Sequence, residues 1–388
     1  MFVTVSQSQL ARALSVVSRA VAPRSTLPIT GHVLLASRPG KLKLAATNLD
    51  LAIVTLIDAE VKEEGGMSVP ARLFADLVSS LPDGQVELRR PKKTPELSVS
   101  APRAEASVKG LDASEFPAID ASDAVVLYRV PAAALRQAID DVIFAAAKDQ
   151  TRPQLSGLLL RAEGTVLTVV GCDSFRLSVR RVALTAPACG NCPDLIIPRT
   201  SMLEVARGFG SLEEPVRIAA TPTRGQVVFA ASALQLTTRV IDGAYVDFER
   251  VLGQTAQHDV RISTATADLL RAARFSAIVA RDDSNALRIA VTPGPANTPP
   301  PGESLAEGTL VFQAAAAQVG ENTTEVAACI TGPATNLALD NSYLADVLGA
   351  IRSTRLTIGA ASGRTLPLLV QPEGAEDTQH VIMPLHRK

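Results

Sequence analysis

The feature that most constrains the fold is one helical pattern that occurs three times. In Ser8 to Val21, Leu10, Leu14, Val17 and Val21 fall at spacings of four, three and four, which lines one face of a helix, while Arg12 and Arg19 share another face. Pro131 to Ala147 repeats the design, with Leu135, Ile139, Val142 and Ile143 as the stripe and Arg136 off it. Thr264 to Ala280 repeats it again, with Leu269, Leu270, Ala273 and Ala277 inward and Arg271, Arg274 and Arg281 elsewhere. Each copy follows a short β-like lead: Phe2-Val3-Thr4-Val5, Tyr128-Arg129-Val130-Pro131 and Val260-Arg261-Ile262-Ser263. The chain therefore divides into three units, 1–125, 126–256 and 257–388, each of ordinary domain size.

Every unit has a matching second half. Three strand-like runs follow the first helix, in unit one Gly31 to Ser37, Lys41 to Thr47 and Leu51 to Val61. A second helix opens at Pro70, at Pro198 and, in unit three, at Asp340-Asn341, and three further strands such as Gln85 to Arg90, Glu96 to Ser100 and Ala104 to Lys109 complete the unit. The fold class is α+β: three pseudo-repeated domains, each helix, three strands, helix, three strands. Leu111 to Pro117 and Ile241 to Phe248 stand at matching positions and are expected to connect the units. Pro293 to Gly308, rich in proline and glycine, reads as a mobile surface excursion.

Hydrophobic residues make up 47% of the 388, enough for a large core in each unit, yet no apolar run reaches the length of a membrane span. The N-terminal MFVTVSQSQL lacks the charged start and apolar core of a secretory signal, so a cytosolic protein without membrane partners is expected. Four cysteines do not make a disulfide framework, and Cys189-Gly-Asn-Cys192, read as a metal or redox pair, has no second pair at zinc-ribbon spacing.

Catalytic constellations are missing. None of the four histidines belongs to a nucleophile motif, and no glycine-rich phosphate loop occurs, so no cofactor, no metal and no catalytic residue is expected. Cys172-Asp173-Ser174 reads as a tight turn between two strands rather than a catalytic cluster. A binding protein remains. The net charge of −1 says nothing about placement, and acidic runs such as Glu60 to Glu64 and Glu213-Glu214 lie away from the arginine-bearing helices. Recurrence of those arginines points to one shared basic wall for a polyanion, contacted through phosphates without sequence readout. With 3% aromatic residues and no tryptophan, base stacking is not the mode.

Over its whole length the chain resembles the bacterial DNA sliding clamp, the beta subunit of DNA polymerase III. The match is carried in order by Pro23 to Ile29, Val69 to Phe74, Phe116-Pro117, Thr151 to Leu159, Cys172 to Leu177, Ile197 to Arg199, Ser342 to Leu344 and Val381 to Leu385. The resemblance implies a head-to-tail homodimer whose six domains close a ring around duplex DNA, helices inside and sheets outside, tethering the replicative polymerase. It implies an ATP-driven clamp loader and a pocket for the short clamp-binding motifs of the polymerase III catalytic subunit, the loader and other replication and repair proteins. By the same resemblance Arg24, Arg72, Gln150, Arg152 and Arg199 contact DNA. The pocket, between domains two and three, comprises Leu155, Cys172, Ser174, Phe175, Arg176, Leu177, Val246, Arg250, Val251, Tyr343, Pro367, Val381, Met383, Pro384 and Leu385, with Arg176 and Arg250 at polar edges. Ala106 and Val108 face Ile278 and Val279 across the dimer interface. Departures are Phe175 for the usual histidine, Val246 for a proline, His386 for an arginine and Ala106 for an aromatic residue. Phe175 and Val246 raise the alternative of a paralogue specialised, for example, in tolerating pocket-binding inhibitors.

Overall fold

The computed structural model describes residues 1–22, 27–91, 94–119, 123–149, 151–222, 225–281, 284–294 and 306–385. Arg24, Gln150, His386 and most of the Pro293 to Gly308 excursion lie outside these. The ends of that excursion do not: Thr292 and Pro293 still pair with Thr309 and Gly308, so the strands run into it.

Among the described residues there are seven α-helices: α1 (Gln7–Val17), α2 (Ala71–Ser80), α3 (Ala132–Val142), α4 (Arg199–Phe209), α5 (Phe248–Gln254), α6 (Thr266–Ala280) and α7 (Asn341–Ala350). The anticipated stripes face inward, Leu10, Leu14 and Val17 in α1 and Leu135, Ile139 and Val142 in α3. Each such side chain contributes about 1.5–3 kcal/mol by leaving water. In α6 the buried stripe is Leu269, Ala272, Ala273 and Ser276, whereas Leu270 and Ala277 are only half-buried. The helices pack as α1 with α2, α3 with α4 and α6 with α7, one pair per domain. The short α5 follows the second connector and is capped by the Asp247 carboxylate, which accepts from the N–H of Arg250 at 3.1 Å.

Three antiparallel sheets carry these helices, with five, nine and twelve strands. Two of them cross domain boundaries. Strand Leu51–Asp58 of the first domain pairs with Leu234–Arg239 of the second, Leu51 opposite Thr238 and Thr55 opposite Leu234. Strand Arg176–Ala183 of the second pairs with Thr378–Ile382 of the third, Arg176 opposite Ile382 and Arg180 opposite Thr378. Each joint is therefore made by backbone hydrogen bonds that leave no open edge between neighbouring domains. Ion pairs bridge the same joints beside the helices, Arg19 with Glu204 at 3.9 Å and Arg352 with Asp140 at 3.4 Å.

The joint between domains two and three buries polar groups. His380 is enclosed, its Nδ1 3.0 Å from the Ser178 hydroxyl. Asp141, buried on α3, lies 3.7 Å from Arg180, which also pairs with Asp377 at 2.7 Å. Burial pushes the Asp141 carboxyl up to about 6, while burial and the Arg180 charge hold the His380 imidazole down at about 4.

These shifts act in opposite directions on stability. Below about pH 6 the folded chain protonates Asp141 before the unfolded chain does, which stabilises it as pH falls toward 4. Below about pH 6.5 the unfolded chain protonates its histidine while folded His380 stays neutral, which destabilises it over nearly the same window. Each effect is on the order of 3 kcal/mol, so they largely cancel. Asp141→Asn removes one side: between pH 7 and pH 4 the variant is expected to lose about 3 kcal/mol more unfolding free energy than the parent, measured by urea denaturation at each pH. Parallel pH profiles would contradict this.

Candidate functional site

The joint between domains two and three is also where most of the anticipated pocket residues meet. Cys172 to Leu177 forms the tight turn expected from sequence. The Asp173 carboxylate accepts from the N–H groups of Phe175 and Arg176 at 3.0 and 3.1 Å, with Ser174 between them at φ 92°. The Cys172 thiol is buried, and burial pushes its pKa up, the reverse of what a nucleophile needs.

Leu155, Cys172, Leu177 and Val381 are buried in one apolar cluster with Phe248, and Val246 and Val251 pack on its margin. Strand pairing accounts for the convergence, because Leu177 stands opposite both Cys172 and Val381. Past Val381 the chain leaves the sheet. The N–H of Met383 donates to the Phe175 carbonyl at 2.7 Å and that of Leu385 to the Ala338 carbonyl at 2.8 Å, leaving the side chains of Met383 and Leu385 exposed. Pro384 and Leu385 also line a separate cavity with Leu337, Leu366 and Leu368. Pro367 is buried beside it and accepts from Nε2 of His258 at 2.8 Å.

Arg176 is not at a polar edge. Its side chain is 5% exposed, paired with Asp173 at 2.9 Å and with Asp346 of α7 at 2.6 Å. Its guanidinium lies over the rings of Tyr343, 4.7 Å from the centroid, and of Phe144, 5.6 Å from the centroid. Phe175, 56% exposed, stacks on the outer face of Tyr343 with centroids 6.1 Å apart and planes at 16°. Phe144 in turn meets the His380 ring at 5.7 Å. The result is a column, Phe175, Tyr343, Arg176, Phe144 and His380, that passes between the two domains. Arg250, in contrast, is exposed. Phe144, Asp346 and His380 escaped sequence reasoning. Only the Asp173 to Arg176 spacing across a turn offered a local signal.

The described DNA candidates are spread out. Arg72 is exposed on α2. Arg152 is exposed and donates Nη1 to the Ser174 hydroxyl at 3.1 Å, which ties it to the pocket turn. Arg199, the first residue of α4, is half-buried and donates Nε to the Ile143 carbonyl at 3.3 Å. Elsewhere on the helices Arg136, Arg207 and Arg271 are paired with Asp140, Glu204 and Asp268, so the arginine wall is partly neutralised by its own helices.

Of the four interface candidates, Val108 and Val279 are turned into their own domains, Val279 against Ala314 and Ala316. Ala106 is half-buried and Ile278 is 65% exposed, with the exposed Phe275 one turn before it. Cys189 and Cys192 are bonded to each other, so this pair is a disulfide rather than a set of metal ligands.

Removing the guanidinium at Arg176 would leave Asp173 and Asp346 unpaired at the joint. Arg176→Ala is expected to destabilise the fold by about 3 kcal/mol, and Arg176→Lys, which keeps the charge but not the planar fork, to recover less than half of that loss. Urea denaturation of both variants checks it. Equal stability of Arg176→Ala and the parent would contradict the account.

Comparison with known proteins agrees with this architecture. Family models for the N-terminal, central and C-terminal domains of the DNA polymerase III beta subunit match residues 1–120, 129–247 and 304–386. The beta sliding clamp of Synechococcus elongatus is 28% identical over 98% of this chain and 97% of its own length, and that of Caulobacter vibrioides is 28% identical over 99% and 100%. Among solved structures, a sliding clamp from Pseudomonas aeruginosa bound to griselimycin superposes with TM-score 0.90 at 26% identity, covering all of both chains. The clamp of C. crescentus superposes with TM-score 0.88 at 28% identity, over 100% of this chain and 99% of that one. No helix among the described residues is long and apolar enough to cross a membrane. The matches favour the clamp itself over a specialised paralogue: the chain belongs to the beta sliding clamp family, the beta subunit of bacterial DNA polymerase III.

Proposed function

We propose that two copies of this chain, each with domains 1–125, 126–256 and 257–388, close head to tail into a ring around duplex DNA in the cytoplasm. The ring is loaded by an ATP-driven clamp loader and holds the polymerase III catalytic subunit on its template. As in its family, the role is that of a processivity factor and not of an enzyme. The pocket at the joint of domains two and three takes the clamp-binding segments of the polymerase, the loader and other replication and repair proteins. Arg24, Arg72, Gln150, Arg152 and Arg199 steady the duplex through its phosphates.

The observation that carries this reading is a pair of unfilled strand edges. The last strand of domain two pairs with domain one, and the last strand of domain three pairs with domain two. The last full strand of domain one, Ala104–Lys109, ends its sheet with one open side. At the other end of the chain, strand Gly320–Thr331 pairs with Val260–Ala265 through Cys329 to Thr331, the Thr264 hydroxyl donates to the Ala327 carbonyl at 2.9 Å, and among the described residues no strand pairs with Gly320 to Val326 on that side. A second copy supplies each edge with the kind of partner that the two internal joints already have, and a head-to-tail pair closes both at once.

The helices support the same closure. At the joint of domains one and two, Ser201 and Val205 of α4 are buried. Their counterparts in α2, counting from the proline that precedes each helix, are Leu73, 55% exposed, and the half-buried Leu77. These two and the pair Phe275 and Ile278 of α6 are apolar surfaces that the second copy would cover. Three kinds of backbone-paired joint, each used twice, would give a ring of six domains its continuity.

Ile278→Asp places a carboxylate in that contact and is expected to raise the dimer dissociation constant by about 100-fold, roughly 3 kcal/mol. Equilibrium sedimentation reads it, and an unchanged constant would contradict the assignment. Arg72→Ala with Arg152→Ala is expected to reduce the slope of log affinity for duplex DNA against log salt by about 0.9 for each phosphate that is no longer neutralised. Deleting residues 383–388 is expected to abolish binding of a polymerase clamp-binding peptide while the dimer persists. Unchanged peptide affinity would put the pocket elsewhere.

A further inference from the structure

We propose that the joint between domains one and two holds a second docking site, for an extended peptide segment that presents one aliphatic side chain next to an acidic one. The inference rests on the reading of the other joint as a peptide pocket, because the two joints are built alike. The Asn48 side chain accepts from the N–H groups of Asp50 and Leu51 at 3.1 and 2.8 Å, as Asp173 does for Phe175 and Arg176. Leu49 at φ 79° occupies the place of Ser174 at φ 92°. The N–H of Arg239 donates to the Asp50 carbonyl at 3.0 Å, as that of Met383 does to the Phe175 carbonyl at 2.7 Å. The connector through Pro117 and Ile119 passes this joint as the one through Tyr245 and Val246 passes the other.

Between turn and connector lies a cavity of about 230 Å³. That is room for a side chain rather than for a cofactor-sized molecule. Its lining shows what it would accept. Where the second joint has Cys172 and Val381 in its floor, this one has Thr47 and Thr237, so the deep apolar anchor is gone. Apolar surface moves to the wall, where Leu49 projects, exposed, beside Pro117 and Ile119. In place of Phe175 and Met383 the rim carries Asp50 and Arg239. These two stand 3.8 Å apart with both side chains largely exposed, so the pair is loose and its guanidinium is open to an incoming carboxylate. A shallow apolar wall beside an available guanidinium selects an aliphatic side chain with an acidic neighbour. The deep apolar anchors suited to the other joint have no floor here.

Methyl-labelled leucines in the full chain give the test by NMR titration. The probes are the capped tetrapeptide acetyl-Ala-Leu-Asp-Ala-amide, the same peptide with Lys for Asp, and the same peptide with Phe for Asp. The Asp peptide is expected to move the Leu49 methyl signals saturably, with at least threefold weaker binding for the Lys peptide and at least fivefold weaker binding of the Asp peptide in Arg239→Gln. Leu49 signals that stay still, or respond equally to the Asp and Lys peptides, would overturn the proposal in the parent protein without any variant. Leu155 and Leu385 report separately on the other joint through the Phe peptide. If they move while Leu49 ignores the Asp peptide, this proposal fails and the first pocket stands. If Leu49 responds and they do not, the first pocket's reading fails and the second site stands on its own.

Discussion

Everything in this structure depends on backbone pairing between strands of neighbouring domains. Leu51 to Thr55 with Leu234 to Thr238, and Arg176 to Arg180 with Thr378 to Ile382, turn three domains into one continuous body. Such ladders resist sliding because a shift of one residue turns every side chain to the opposite face of its sheet. They also place functional residues. Arg176, Leu177 and Val381 meet because their strands are partners in one of these ladders, although they are far apart in the chain. The same device is left unfinished at Ala104–Lys109 and along the first part of Gly320–Thr331, the two edges at which the proposed second copy would pair.

Much of this was legible in the sequence, for identifiable reasons. A period near 3.6 exposes a helix that buries one face, so α1 and α3 could be read from Leu10, Leu14 and Val17 and from Leu135, Ile139 and Val142. The stripe of α6 was harder because it is built from Ala272, Ala273 and Ser276, whose size marks no face as apolar. The turn at Cys172 to Arg176 was legible because Asp followed by Ser favours an Asx turn. The burial of Arg176 was not. Arginine is ordinarily a surface residue, and its partners Asp346, Tyr343 and Phe144 come from elements remote in sequence. Nor could sequence say that Val108 and Val279 turn inward while Phe275 and Ile278 turn out, since that depends on which side of each element its own domain covers.

The column from Phe175 to His380 shows how a chain with 3% aromatic residues spends them. Stacking rings on a guanidinium that two carboxylates already hold keeps Arg176 buried, 5% exposed, while its charge stays paired. The apolar cluster beside it, Leu155, Leu177 and Val381, is buried within the chain itself, so its order does not wait on a partner. In the other internal joint the same scaffold carries threonines and a loose Asp50 to Arg239 pair. Repetition of the fold with divergence of its lining gives one chain two joints of different chemistry.

The central claim is topological: this chain holds DNA by enclosing it. The most direct test is retention of the protein on nicked circular DNA, loaded with its cognate clamp loader and ATP, before and after the circle is cut once. Enclosure predicts that the protein stays on the circle and runs off the linear form. Equal retention on both forms would contradict the account and leave only ordinary surface binding.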